Sequence, residues 1–244
     1  MSARQGWFDV VEIAPGIHQL TEGRHALPCN AFVVGNVGTE EALVVDSALG
    51  IGDLYGAVES LLGSEASMRL LLTHSHWDHI GGAHQFERVA IDERERGDDG
   101  DVAIDTLSEE FLDRPAQFVA NWRALGEAFP TGFDPDRYTL APATDVEAVT
   151  GGDQLIVGEH TLELVSVPGH SPGQLAAIDE QAGVCFGADV VGIDKNVYAH
   201  FQHCDLEAYR QAVATLIDNR DAQRFDTLCS GHNEPFVGDE LSIL

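Results

Sequence analysis

The sequence predicts an α+β protein, and three observations support this class. Short runs rich in β-branched residues recur in both halves of the chain, separated by Gly, Pro or polar residues. Three other stretches carry apolar residues at helical spacing. The 244 residues are enough to bury a substantial core, and they contain no linker, low-complexity segment or short repeat. We therefore expect one domain over residues 1–244.

The first half of the chain is predicted to run from strands into a helix. The predicted strands are 10–14, 16–20, 29–35 and 41–46. Residues 52–63 then change to helical spacing, which places Leu54, Val58 and Leu61 on one face. A buried type of strand follows at 68–73.

The region of approximately 92–140 is predicted to be a helical insertion within the domain. Its first part, ERERGDDGD, is a charge cluster typical of an exposed loop. Apolar side chains then recur at helical spacing between 105 and 129, which predicts one or two helices that pack in the core or roof a site. These side chains are Leu107, Phe111, Phe118, Val119, Trp122, Leu125 and Phe129.

The last part of the chain returns to strands, with one more amphipathic helix. The predicted strands are 161–167, 175–179, 183–189 and 225–231, and the helix is 206–219.

Acidic residues dominate the charge of this chain. It has 41 Asp and Glu against 13 Lys and Arg, a net charge of −28, and Lys195 is its one lysine. Such a surface repels phosphate, so we expect no nucleic-acid partner. The acids are spread along the chain, and a salt-rich cytoplasm would screen their repulsion, which predicts a halophilic source.

The sequence predicts no targeting signal. No apolar run approaches the roughly 18 residues of a membrane-spanning helix, and the N-terminus lacks the basic-then-apolar pattern of a signal peptide. We therefore expect a cytoplasmic protein with no membrane association. In that compartment the four cysteines, which form no CxxC pair, are expected to be small buried apolar side chains. They are Cys29, Cys185, Cys204 and Cys229.

The segment LLTHSHWDHIGG, residues 71–82, places three histidines and an aspartate within six positions. His74 and His76 are two residues apart at the end of a strand, so their side chains point the same way. Asp78 and His79 follow in the turn that enters a helix, and the glycine pair after them lets the backbone pack closely. Imidazole and carboxylate groups are good zinc ligands, so the segment predicts a metal site.

Three further candidate ligands stand at strand-to-loop junctions. They are His170 in VPGHSPG, Asp189 at the end of GVCFGAD and His232 in SGHNEP. A scaffold can aim such residues at one edge of a sheet sandwich. Five histidines and two aspartates suit two metals. We expect His74, His76 and His170 to hold one metal, Asp78, His79 and His232 to hold the other, and Asp189 to lie between them.

This set of residues, in this order and at comparable spacing, resembles the metallo-β-lactamase-fold hydrolases over about residues 10–235. THSHWDHIGG and VPGHSPG are similar to the glyoxalase-II-like and uncharacterised zinc-dependent hydrolase branches. The resemblance implies an αββα sandwich with two Zn²⁺ ions, or Fe or Mn, at one edge. It also implies that Asp46, in VVDSALG, supports a ligating histidine. The chain departs from the class B1 and B2 lactamases, whose second site uses a cysteine, because Asp189 takes that place here.

The resemblance further implies hydrolysis of a small ester, thioester or lactone by a hydroxide held between the metals, with Asp78 orienting it or shuttling a proton. A tyrosine holds the carbonyl in related lactonases, so substrate contact and ordinary packing are both open for Tyr198. His200 and His203 are expected outside the ligand set. So are the four remaining histidines, His18, His25, His84 and His160. A homodimer is also open.

A redox enzyme is the alternative, because the same fold loaded with iron supports sulfur dioxygenation or oxygen reduction. An iron-dependent sulfur dioxygenase uses one metal, whereas this chain keeps a complete second ligand set. The sequence therefore favours the hydrolase.

Overall fold

The computed structural model describes residues 3–24, 27–63, 66–102, 114–126, 128–141 and 143–244, and their strands form two sheets. The first sheet contains β1 (Ala3–Gln5), β2 (Phe8–Ala14), β3 (Ile17–Glu22), β4 (Cys29–Val34), β5 (Glu41–Val45), β6 (Ser67–Leu71), β7 (Val89–Asp92) and β8 (Glu147–Val149). The second contains β9 (Gln154–Val157), β10 (His160–Ser166), β11 (Leu175–Asp179), β12 (Val184–Ala188), β13 (Thr227–Ser230) and β14 (Phe236–Val237).

Both sheets are mixed. In the first sheet, strands β1 to β5 pair antiparallel in sequence order and β5 to β8 pair parallel. In the second sheet the order is β14-β13-β12-β11-β10-β9, and only β12 and β13 are parallel. The carboxyl ends of β5 and β6 therefore meet at one edge of the first sheet, and those of β12 and β13 meet at one edge of the second.

The described residues also form four α-helices, which are α1 (Leu54–Leu62), α2 (Trp77–Ile80), α3 (Arg114–Ala124) and α4 (Leu206–Asp221). Helices α1 and α4 match those predicted at 52–63 and 206–219. A side chain caps the start of each. Asp53 accepts a hydrogen bond from the Gly56 amide at the start of α1, and Asp205 accepts one from the Ala208 amide at the start of α4. Such caps satisfy amides that have no partner within the helix.

Three apolar layers hold the sheets and helices together. Along β4, Phe32 faces the second sheet, where its ring lies 5.2 Å from that of Phe186. The alternate residue Val33 points away, into the layer that α1 covers. On the outer face of the second sheet, Leu216 of α4 packs in the third layer. This arrangement of helix, sheet, sheet and helix confirms the predicted α+β class and the αββα sandwich.

The described part of the predicted insertion, 92–140, contains one α-helix, α3. Phe118 and Trp122 on this helix stack at 6.4 Å, and Phe118 also packs against Trp77 of α2. Leu125 lies just beyond the helix and is exposed. Leu107 and Phe111 lie outside the described residues.

The charged run at 93–101 is not wholly exposed, contrary to the prediction. Glu93 is exposed, but Glu95 is 3% exposed and lies at the end of a short 3-10 turn. Buried hydroxyl and amide donors surround its carboxylate. No helix among the described residues is long and apolar enough to span a bilayer.

Candidate metal centre

All seven predicted ligands lie at one edge of the sandwich, and both sheets contribute to it. His74, His76, Asp78 and His79 follow β6 of the first sheet. His170, Asp189 and His232 follow β10, β12 and β13 of the second. Six of them are buried, and the side chain of Asp78 is 13% exposed.

The glycine pair after the motif fixes how this edge packs. A Cβ atom added at Gly81 would collide with the carbonyl oxygen of Leu49, and one added at Gly82 would lie 2.7 Å from that of Ser47. The two backbones can approach this closely only without side chains, as the sequence predicted.

Two groups of potential ligand atoms contain only predicted ligands. His74, His76 and His170 place one ring nitrogen each within 4.8 Å of one another, and so do His74, His79 and Asp189 with one atom each. Asp189 lies centrally, with carboxylate oxygens 3.5 Å from His79 Nε2 and 3.1 Å from His232 Nε2.

A third group joins Asp78 and His232 to Cys29, which was not among the predicted ligands. His232 Nε2 lies 3.6 Å from Asp78 Oδ2. The structure thus brings all seven predicted residues together and adds a thiol.

The fit of these residues to a cation follows from atoms that form no hydrogen bond. His74 Nε2, His79 Nε2, His170 Nε2 and Asp189 Oδ1 are buried without a hydrogen-bond partner among the described residues. Burying one such atom unpaired costs about 1–3 kcal/mol. Four of them converging on one edge are better explained as ligands, because a divalent cation satisfies all of them at once.

Asp46 fixes two of the imidazoles. Its Oδ2 accepts hydrogen bonds of 2.8 Å from the Thr73 hydroxyl and from His79 Nδ1. Since the Thr73 hydroxyl donates to Asp46, its oxygen can accept the 3.0 Å hydrogen bond from His74 Nδ1. The Nδ1 atom of each ring is thereby engaged, which leaves Nε2 as the atom that faces the edge and that a metal would bind once it is deprotonated.

Residues 198–204 contact the rings of His76 and His170, the other two members of the first group. His170 Nδ1 donates to the backbone oxygen of Tyr198 at 2.6 Å, and His76 Nε2 lies 2.7 Å from His203 Nε2. His203 was expected outside the ligand set, and it belongs to none of the three groups of potential ligand atoms, but it does contact a predicted ligand. The sequence carries no signal of this contact, because the two histidines are 127 residues apart.

Electrostatics differ between the two sides of the edge. Burial and neighbouring histidines lower the pKa of His74 and His76 well below the usual value, so these rings are neutral. Burial alone would also lower the pKa of His79, but Asp189 and Asp46 raise it to about 10. Burial would raise the pKa of Asp189, but His232 and His79 hold it well below its usual value. The side that contains Asp189 is therefore the more strongly charged.

A family model described as the Metallo-beta-lactamase superfamily matches residues 25–232. The chain belongs to the metallo-beta-lactamase superfamily. It is an enzyme of the hydrolase class, and the superfamily's divalent-metal chemistry agrees with the cluster of His and Asp at its edge.

Curated relatives of this superfamily member are similar over nearly its whole length. The acyl-coenzyme A thioesterase MBLAC2 of Gallus gallus is 27% identical over 253 residues, which cover 99% of this chain and 86% of the relative. The acyl-coenzyme A thioesterase MBLAC2 of Homo sapiens is 26% identical over 256 residues with the same coverage.

Solved structures share the superfamily fold. The BLEG-1 B3 metallo-beta-lactamase gives a TM-score of 0.59 at 22% identity and covers 91% of this chain and 93% of its own. A metallo-beta-lactamase family protein from Thermus thermophilus gives a TM-score of 0.63 at 24% identity, and the match covers 95% of this chain and 77% of that protein.

Glu95 links the two loops that carry the first ligand group of this superfamily member. Its Oε2 accepts from the amide and, at 2.5 Å, from the hydroxyl of Ser75. Its Oε1 accepts from the hydroxyl of Ser171 and, at 2.6 Å, from the Gly173 amide. Sequence reasoning missed Glu95, because a glutamate in a charged run is usually solvated.

A cavity of about 110 Å³ opens onto the metal edge. Apolar side chains line one part of it, among them Leu27, Trp77 and Phe201. Tyr198 also lines the cavity, and the substrate contact considered for it stays a prediction. Arg114, the first residue of α3, places its guanidinium 5.2 Å from the centre of the Phe201 ring.

The remaining histidines lie outside the three ligand groups. His160 Nδ1 is bonded to Asp179 at 2.6 Å, and His84 Nδ1 lies 3.1 Å from the Gly81 oxygen. His200 packs its ring against Phe201. His25 lies outside the described residues.

Proposed function

We propose that this chain hydrolyses acyl thioesters with two divalent cations, zinc in the first instance. The observation that carries the proposal is the buried edge at which His74, His170 and Asp189 present ligand atoms that form no hydrogen bond. The thioester class is supported by the acyl-coenzyme A thioesterases that are similar over 99% of the chain. A small-molecule substrate follows from the same relatives.

For the two cations we propose the ligand sets expected from the sequence. His74, His76 and His170 would hold one cation, Asp78, His79 and His232 the other, and Asp189 would lie between them. When bound, the cations would lower the pKa of a water molecule and polarise the thioester carbonyl.

Asp78 is the candidate for proton transfer, because its side chain is the most exposed of the seven and lines the cavity. There it would orient the attacking water and pass a proton to the leaving thiolate. Asp46 would keep His79 in one tautomer through the 2.8 Å hydrogen bond.

The cavity supports an acyl substrate of mixed character. Its apolar wall, with Trp77 and Phe201, suits an acyl chain. Arg114 adds a cation to the same cavity, which would attract an anionic part of the thiol carrier. This cation matters in a chain whose net charge is −28, because the surface as a whole repels such a carrier.

The test is a panel of acyl-coenzyme A thioesters, oxyesters and lactones, assayed with protein whose metal content is measured by mass spectrometry after purification in high salt. We expect about two zinc ions per chain and thiol release from the thioesters. His76→Ala should abolish turnover, whereas His84→Ala, at an exposed histidine outside the ligand groups, should leave it unchanged.

Two outcomes would overturn the proposal. Turnover of lactones or oxyesters without thioesters would remove the thioester class. One iron per chain with oxygen consumption on persulfide substrates would replace hydrolysis with the sulfur dioxygenase reaction.

A further inference from the structure

Cys29 lies where the metal centre meets the start of β4. Its side chain is buried, and its Sγ lies within 4.8 Å of a carboxylate oxygen of Asp78 and a ring nitrogen of His232. From the sequence it was expected to be a small apolar core residue. Cys185 and Cys229 fit that description, because both are buried in apolar layers and neither belongs to a group of potential ligand atoms among the described residues.

Both neighbours of Cys29 in the chain hold it beside His232. Pro28 accepts the hydrogen bond from His232 Nδ1 at 2.7 Å. The Asn30 amide donates to the Gly231 oxygen at 2.8 Å, and its Nδ2 donates to the Ser230 oxygen at 2.9 Å. The thiol is therefore fixed relative to His232 by bonds on each side of it.

The position of this thiol matches a donor role. Sulfur, carboxylate oxygen and imidazole nitrogen are all zinc ligands, and here one of each lies within 4.8 Å of the others. A second observation points to a cation at the same edge. Asp189 contacts His232 through Oδ2, while its Oδ1 is buried without a hydrogen bond among the described residues.

We propose that Cys29 is a thiolate ligand of the cation held by Asp78 and His232. When the cation binds, the S–H bond breaks, the proton leaves to solvent and a sulfur–metal bond forms, with no change of oxidation state. The inference rests on the proposed metal-dependent function and adds a softer donor to its second ligand set. Thiolate favours zinc over harder divalent cations such as Mn²⁺.

The test is titration of the metal-free chain with cobalt(II) chloride. Cobalt bound to thiolate shows a near-ultraviolet charge-transfer band that cobalt bound only to nitrogen and oxygen lacks. We expect this band in the wild type and in the control variant Cys185→Ser, and we expect Cys29→Ser to lose it. Cys29→Ser should also lower the affinity for the second cobalt ion. The loss should exceed the ~10–100-fold effect of removing a residue that only hydrogen-bonds a ligand.

Cys29→Asp distinguishes the loss of a ligand from a folding defect in the serine variant. An aspartate can replace the sulfur with an oxygen ligand, so this variant should bind two cobalt ions without the band. A band that persists in Cys29→Ser, or a wild type that binds two cobalt ions without a band, would overturn the inference. The band does not depend on turnover, so an inactive chain that shows it would refute the thioesterase and leave the ligand in place.

Discussion

Glu95→Gln should weaken metal binding by His74, His76 and His170, and the hydrogen bonds of Glu95 determine how large the effect should be. The buried carboxylate accepts hydrogen bonds from the Ser75 amide and hydroxyl on one oxygen, and from the Ser171 hydroxyl and the Gly173 amide on the other. A glutamine keeps one acceptor oxygen and turns an NH₂ group toward the other pair. The hydroxyl of that pair can rotate and accept from the NH₂, but the backbone amide cannot.

One buried amide therefore loses its acceptor, which costs about 1–3 kcal/mol of stability. Ser75 separates His74 from His76, and Ser171 follows His170, so the same change loosens both ligand loops. We expect metal affinity to fall by ~10–100-fold, the usual effect of removing a residue that supports ligands.

The assay is denaturant unfolding of the metal-free chain, together with competition between the chain and a chromophoric chelator for zinc. Glu93→Gln is the matched control, because Glu93 is exposed two residues away. If both variants unfold at the same denaturant concentration and bind zinc equally well, the linking role assigned to Glu95 is wrong.

Asp46, Glu22 and the net charge each give a further prediction. Asp46→Asn should lower zinc affinity by ~10–100-fold in the same competition assay, because it removes the charged acceptor of His79 Nδ1; unchanged affinity would contradict this role. Burial raises the pKa of Glu22 from 4.5 to about 7, so protonated Glu22 favours the folded state and stability falls as pH rises through that interval. The shift corresponds to about 3 kcal/mol of stability. Glu22→Gln should therefore remove the decline in stability between pH 5 and pH 8, as measured by urea unfolding of the variant and the wild type. An equal decline in both proteins would refute this role of Glu22. The free energy of unfolding should rise with potassium chloride concentration, because salt screens the net charge of −28; equal stability in dilute buffer would count against the halophilic source.

Much of the fold could be predicted because its signals are local. The strands at 29–35, 41–46 and 183–189 are apolar runs bounded by Gly or polar residues, and each is a strand in the structure. The predicted strands did not include β1, β7, β8, β9 or β14. These strands have two to four residues, too few for a clear local pattern, and each pairs with a neighbouring strand.

The candidate ligands could be identified for the same reason, whereas the residues that contact and support them could not. HxHxDH is a spacing within one loop, and its chemistry can be read without the fold. Glu95, His203 and Cys29 contact this loop or its partners across long stretches of chain. The charge of Glu95 predicted an exposed side chain. The side chain is buried instead, because four buried donors form hydrogen bonds with its carboxylate.

The division of the candidate ligands between two sheets connects the chemistry of this site to its stability. His74 and Asp78 follow a strand of the first sheet, whereas His170 and His232 follow strands of the second. A cation bound among them joins the sheets at the edge where Asn30 already bonds the two across 200 residues of chain. Since the unfolded chain holds no such arrangement, the free energy of metal binding adds to that of folding. A chelator should therefore lower the stability of the sandwich as well as its activity, and variants that weaken the metal should do the same in proportion.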